Sequence, residues 1–221
     1  MIARFCILFF GALSLTLAER PPNILLMLTD DQGWGDLSMH GNPRLETPHL
    51  DRLGSESLRF SDFYVNPACA PTRASLLTGR HYHRNNVWGV HGGRDYLDPD
   101  AVLISEVLKG AGYATAMIGK WHNGKTGGFL PWHRGFDDAW FKRGLYAHDT
   151  AGFTYNGEVV EFEGWARDRI ADLAIQYMAE QRDQPFFLYL PFPTPHLPAR
   201  APEEYIEKYL AKGCGKKLAK Y

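Results

Sequence analysis

Long blocks of one charge are missing from this sequence. Its 24 Lys and Arg residues offset 25 Asp and Glu residues to a formal net charge of -1, so it lacks the electrostatic footprint that nucleic-acid binding requires. Disorder-prone composition is absent as well: 45% hydrophobic, 14% aromatic and 22% charged residues in 221 can build one sizeable core. No internal repeat is evident. Cysteine is scarce, with three residues at positions 6, 69 and 214. Apolar runs are short too: Phe5 to Leu17 spans 13 residues and contains Ser14 and Thr16, whereas a bilayer-spanning helix needs about 20.

That run follows Arg4 and ends in Thr16-Leu17-Ala18. A basic start, an apolar centre and a small-residue cleavage site predict a secretory signal over residues 1–18. The expectation is an exported product, secreted or periplasmic, that begins at Glu19 and keeps no integral membrane segment. Cys6 leaves with the signal, and Cys69 and Cys214 could then form one disulfide at most.

Along the mature chain, short apolar runs alternate with helical patterns. Asn23 to Leu28 reads as a strand buried on both faces, ending at Thr29-Asp30-Asp31. Thr47-Pro48 looks like a capped helix start, with Leu50 and Leu53 on one face. A strand is expected at about Leu58 to Val65, then a helix over Arg73 to Thr78 closed by Gly79, which puts Cys69 at or just before a helix N-terminus. Ala101 to Lys109 reads as a helix and Ala114 to Ile118 as a strand delivering Gly119-Lys120-Trp121-His122.

Asn156-Gly157 signals a tight hairpin. From Trp165 to Gln181, the spacing of Ile170, Leu173, Ala174, Tyr177 and Met178 gives a single apolar helical stripe, which is core. Pro185 to Phe192 reads as another buried strand, and the loop leaving it holds His196. Ala201 to Tyr221 is helical and lysine-rich, interrupted at Gly213 and Gly215, with a solvated charged face. The alternation predicts an α/β fold, a doubly wound, mainly parallel sheet flanked by helices. Ligands bind at the carboxyl ends of such strands.

Three strand ends carry polar clusters. Asp30 and Asp31 are adjacent hard oxygen donors that repel unless a cation neutralises them; as an isolated pair they are equally ordinary turn residues. Cys69 is either a reactive centre or a buried inert thiol. Lys120, His122 and His196 each have a bland reading, as surface or packed loop residues.

Cys69-Ala70-Pro71-Thr72-Arg73, continued by Ala74-Ser75-Leu76-Leu77-Thr78-Gly79-Arg80, resembles the Cys-x-Pro-x-Arg signature of the formylglycine-dependent sulfatases. Gly119-Lys120-Trp121-His122, the His196 loop and Thr29-Asp30-Asp31-Gln32-Gly33-Trp34-Gly35-Asp36 match further segments of that family in its order. The resemblance implies an alkaline phosphatase-like fold and hydrolysis of sulfate monoesters on a carbohydrate or aryl alcohol. In it Cys69 is oxidised to formylglycine, which excludes a disulfide, by a formylglycine-generating or anaerobic sulfatase-maturing enzyme. The aldehyde hydrate is the nucleophile; unlike a serine ester of sulfate, it can expel sulfate through its second hydroxyl.

The resemblance further assigns Arg73 and Lys120 to sulfate, His122 to collapse of the sulfated diol and His196 to the leaving oxygen. Calcium, with magnesium as the alternative, falls to Asp30, Asp31 and residue 69. The family also uses a later Asp-Asn pair and a further lysine. No Asp-Asn dipeptide occurs in this sequence. Residues 19–221 are therefore expected to be the N-terminal part of the catalytic domain, incomplete at the carboxyl end, with exposed apolar surface and little activity alone. A formylglycine-type phosphonate or phosphate ester hydrolase and a non-catalytic secreted fragment are the competing readings. Trp132, Trp140 and Tyr146 could stack on sugar rings or pack in the core.

Overall fold

The computed structural model describes residues 20–142, 152–181 and 183–221; residues 1–18, expected to be a secretory signal, and Tyr146 lie outside them. Six strands form one sheet: β1 (Ile24–Leu28), β2 (Ala114–Gly119), β3 (Asp138–Lys142), β4 (Phe153–Tyr155), β5 (Glu158–Val160) and β6 (Phe186–Pro191). Their spatial order is β1-β6-β2-β3-β4-β5, with the first four parallel and β4 and β5 antiparallel. The helices are α1 (Pro48–Ser55), α2 (Cys69–Thr78), α3 (Ile104–Gly110), α4 (Ala166–Glu180), α5 (Glu203–Ala211) and α6 (Lys216–Ala219).

Successive side chains of a strand point to opposite faces, and β6 shows why the sheet is wound on both sides. Phe187 and Tyr189 enter one core with Ala70, Ala74 and Leu77 of α2, while Phe186, Leu188 and Leu190 enter a second core with Ile170, Ala174 and Tyr177 of α4. Truncating a fully buried phenylalanine such as Phe187 would cost about 3–5 kcal/mol. The α4 stripe is thus core as expected, and Asn156-Gly157 turns β4 into β5 with φ of 45° and 101°, the conformation a tight hairpin demands.

Four expectations are corrected. β1 is buried on one face only: Ile24, Leu26 and Leu28 pack against the α2 core, while Leu25 and Met27 are 40% and 48% exposed. It is an edge strand, and α4 packs mainly on β2 and β6. Residues 58–65 form no strand, because a strand needs a ladder partner and no described segment pairs with them. Leu58, Phe60, Phe63, Tyr64 and Val65 consequently stand 63–87% exposed.

The helix after Pro48 buries none of its residues, and the Thr47 hydroxyl does not cap it but donates to Asp51 and pairs with Ser38. The helix expected from Ala101 begins at Ile104, where the Glu106 carboxylate accepts from Leu103 N–H at 2.8 Å. In the C-terminal segment α5 and α6 are separated at Gly213 and Gly215 as expected, but Lys208 and Lys212 both pair with Glu46. Among the described residues no helix is long and apolar enough to cross a membrane.

Candidate active site

The carboxyl ends of β1, β2 and β6 converge beside the start of α2. Asp30, just past β1, is tied to the loop after β6 through its N–H to Thr194 O at 3.0 Å. β2 ends at Gly119, whose φ of 137° and contact with the Pro191 carbonyl leave no room for a Cβ. Only glycine fits there, and the turn lets Lys120 N–H reach Pro191 O at 2.7 Å. Asp31 and His122 hold left-handed φ of 62° and 60°, a conformation that costs non-glycine residues about 1–2 kcal/mol each and gathers at functional sites.

A buried charge cluster occupies the convergence. The Asp30 carboxylate is 2% exposed; Arg73 Nη2 donates to its Oδ1 at 3.0 Å and Lys120 Nζ donates to its Oδ2. Burial opposes the charged form of Asp30, yet Arg73 and Lys120 outweigh it and hold the carboxyl below its ordinary range. Arg73 also donates through Nη1 to Lys120 O at 3.0 Å and to the Tyr189 hydroxyl at 3.3 Å. Two cations against one carboxylate leave this triad one positive charge in excess, a setting for an anionic group.

Cys69 is the first residue of α2, four residues before Arg73, and both border a cleft with Asp30, Asp31, Asn66 and Thr72. The helix starts at Cys69, four residues earlier than the sequence pattern suggested, because Pro71 sits in the first turn, where a missing N–H costs nothing. Cys69 Sγ lies 3.2 Å from His122 Nδ1, and His122 Nε2 lies 3.0 Å from the Val90 carbonyl. A carbonyl only accepts, so Nε2 carries the proton and Nδ1 turns its lone pair toward residue 69. Burial pushes His122 down to about 4, so the ring is neutral at pH 7. Cys69 and Cys214 are both free thiols.

His196 sits apart from this group. Its Nε2 lies 3.5 Å from Asp31 Oδ2, and its ring nitrogen Nδ1 approaches Leu197 O at 2.5 Å. Asp31 thus links His196 to the cleft rather than to the buried triad. Among the described residues no group of three or more His, Cys, Asp or Glu could hold a metal ion. Both Asp30 oxygens are engaged by cations, whereas calcium takes six to eight oxygen ligands. Asp30 and Asp31 by themselves therefore do not make up a divalent-cation site.

Sequence reasoning missed Tyr189, Val90 and Asp95. Tyr189 hides in an apolar strand as its one polar handle, whereas nothing local to Val90 or Asp95 signals a role, since only folding brings residues 90–95 behind His122. Trp132 packs against the α2 core at 5.9 Å from Phe141, and Trp140 stacks on Tyr155 at 4.3 Å; both serve packing.

The chain is similar to known proteins in both sequence and fold. The family model described as "Sulfatase" matches residues 22–216. The chain is 38% identical to N-acetylgalactosamine-6-sulfatase of Homo sapiens, over 86% of this chain and 42% of the relative. It is 35% identical to arylsulfatase A of Homo sapiens, over 86% and 44%. Among solved structures, Ps i-CgsB in complex with k-i-k-neocarrahexaose superposes with a TM-score of 0.82 at 28% identity, covering 90% of this chain and 51% of that one.

BT4656 in complex with its substrate D-glucosamine-2-N,6-O-disulfate gives 0.76 at 30% identity, covering 88% and 38%. The described sheet and helices are those of the alkaline phosphatase-like sulfatase fold. The chain spans less than half the length of the two curated relatives. With nearly its whole length matched by the family model, the chain belongs to the sulfatase family, whose members are sulfuric ester hydrolases.

Proposed function

We propose that this chain supplies the nucleophile and the first anion-binding groups of a hydrolase for sulfate monoesters, with Cys69 converted to formylglycine during export as a secreted or periplasmic protein. One observation carries the reading: the residue of the Cys-x-Pro-x-Arg motif sits at the start of a helix, 3.2 Å from a neutral imidazole and beside a buried cluster with excess positive charge. Once formed, the aldehyde hydrate supplies the attacking oxygen, and its second hydroxyl allows sulfate to leave.

Each side chain has a task that its position supports. His122 Nδ1 faces residue 69 and takes a proton from its hydroxyl. Lys120 and Arg73 offset negative charge on the sulfuryl oxygens. His196, on the far side of Asp31, protonates the departing alcohol oxygen. Calcium or magnesium would draw on Asp30, Asp31 and residue 69 together with oxygen ligands beyond these, adding electrostatic stabilisation. Because the described residues offer only part of that site, the 221-residue chain by itself is expected to show little turnover.

Relatives named for N-acetylgalactosamine 6-sulfate and a neighbour whose substrate is a disulfated glucosamine support a sulfated glycan as substrate class. The test is co-expression with a formylglycine-generating enzyme, peptide mass analysis of residue 69, and parallel assays on aryl sulfate and aryl phosphate. Conversion of Cys69 with preference for the sulfate supports the reading. A persistent free thiol overturns it.

A further inference from the structure

Behind His122, away from Cys69, lies a carboxylate with no role in the chemistry above. Asp95 is 1% exposed, and neither of its oxygens has a hydrogen-bond partner. Isolated charges are seldom buried without compensation. Two cationic or potentially cationic groups face it: His122 Nε2 and Lys125 Nζ each lie 3.9 Å from Oδ2. Lys125 is largely solvated, with its side chain 58% exposed, while His122 is enclosed. Asn123, fully buried beside His122, also leaves both side-chain polar atoms unpaired, and its carbonyl accepts from Leu97 N–H at 3.4 Å. The segment around Asp95 is thereby joined to the segment carrying His122.

We propose that Asp95 is a positioning residue for His122. Its negative charge faces the Nε2 edge of the ring, and a negative charge there favours the N–H over the lone pair. That preference reinforces the one imposed by the Val90 carbonyl, keeps Nδ1 bare toward residue 69, and holds a ring whose backbone is strained at φ 60°. The assignment rests on the proposed role of His122 as acceptor for the group at position 69, but its test needs neither conversion of Cys69 nor sulfate.

The test uses the unconverted 221-residue chain, in which the Cys69 thiol reports the acceptor. Iodoacetamide alkylation rates of Cys69 are measured for the wild type, Asp95→Asn, His122→Asn, the double variant and Lys125→Met, with circular dichroism confirming the fold. Ring nitrogen shifts of His122 are read by long-range proton–nitrogen correlation. Expected results are an Nε2-protonated ring in the wild type, a mixed tautomer in Asp95→Asn, and alkylation slowed about tenfold. The double variant is no slower than His122→Asn alone, and Lys125→Met is unchanged. Additive rates, an unaltered tautomer in Asp95→Asn, or an equal effect of Lys125→Met overturns the proposal.

If Asp95→Asn does not fold, the wild-type ring and Asp95→Ser decide: an Nδ1-protonated His122 in the wild type, or an unaltered tautomer and alkylation rate in Asp95→Ser, refutes the assignment, whereas a mixed tautomer with slowed alkylation in Asp95→Ser upholds it. A non-additive cycle in a chain whose Cys69 is never converted leaves positioning standing while the sulfatase reading falls. Additivity in a chain that is converted does the reverse.

Discussion

Replacing Asp30 by Asn keeps the shape of the buried cluster and removes its only negative charge. Arg73 Nη2 lies 3.0 Å from Asp30 Oδ1, and Lys120 holds the other oxygen. At an effective dielectric of 20, each such contact represents an attraction of about 5 kcal/mol before desolvation, which offsets much of it. The variant leaves two buried cations facing a neutral amide, and breaking a buried ion pair from one side costs about 3–5 kcal/mol. Against a total stability of about 5–15 kcal/mol, that loss is large.

Urea unfolding followed by tryptophan fluorescence and circular dichroism measures the difference at pH 7 and again near pH 3. The folded pKa of Asp30 is depressed, so its contribution is complete above the unfolded value of about 3.9 and is lost as pH falls through the folded value. The gap between wild type and Asp30→Asn must therefore narrow in acid. A penalty below about 1 kcal/mol at pH 7, or a gap that widens on acidification, refutes the account of the cluster.

Other consequences follow from single contacts. With His122 held near 4 and an unfolded value of about 6.5, the unfolded chain binds a proton that the folded chain refuses between those values. Stability should fall by up to about 3 kcal/mol from pH 6.5 to 4 on this account, and a pH series of unfolding curves should show that segment flattened in His122→Asn. Gly119→Ala forces a Cβ onto the Pro191 carbonyl at φ 137°, and a loss of about 3 kcal/mol should appear in calorimetry as a melting temperature lower by about 6–12 °C. Tyr189→Phe removes one acceptor from Arg73, which retains Asp30 and Lys120 O, so denaturant midpoints should report only about 1 kcal/mol. In a polypeptide active on sulfate esters, Cys69→Ser should permit at most one sulfuryl transfer per chain; sustained turnover in a burst assay would contradict the diol chemistry.

Local chemistry made much of this legible in the sequence. Apolar runs bounded by turn residues located β1, β2 and β6, and the period of Ile170, Ala174 and Tyr177 fixed the inward face of α4 before any packing was known. Rows of side chains bound for a two-sided core have no other composition open to them. The Cys69 motif was legible as one helix because Arg73 one turn later and Gly79 at the helix end are spacings within it. Local patterns failed where partners are distant: residues 58–65 are rich in strand-forming residues yet pair with nothing described, and β1 reads as fully buried although its outer face is bare.

The sequence by itself determined the elements on which the candidate residues ride, since helix and strand periods, capping and turn geometry act over a few residues. Only the tertiary structure decided what those residues do to one another. Asp30 meets Lys120 across 90 positions and Cys69 meets His122 across 53, while Asp95 comes to lie behind the ring. Charge pairing, tautomer choice and a histidine pushed down to about 4 all arise from burial and from neighbours that the sheet order brings together. No local pattern encodes them.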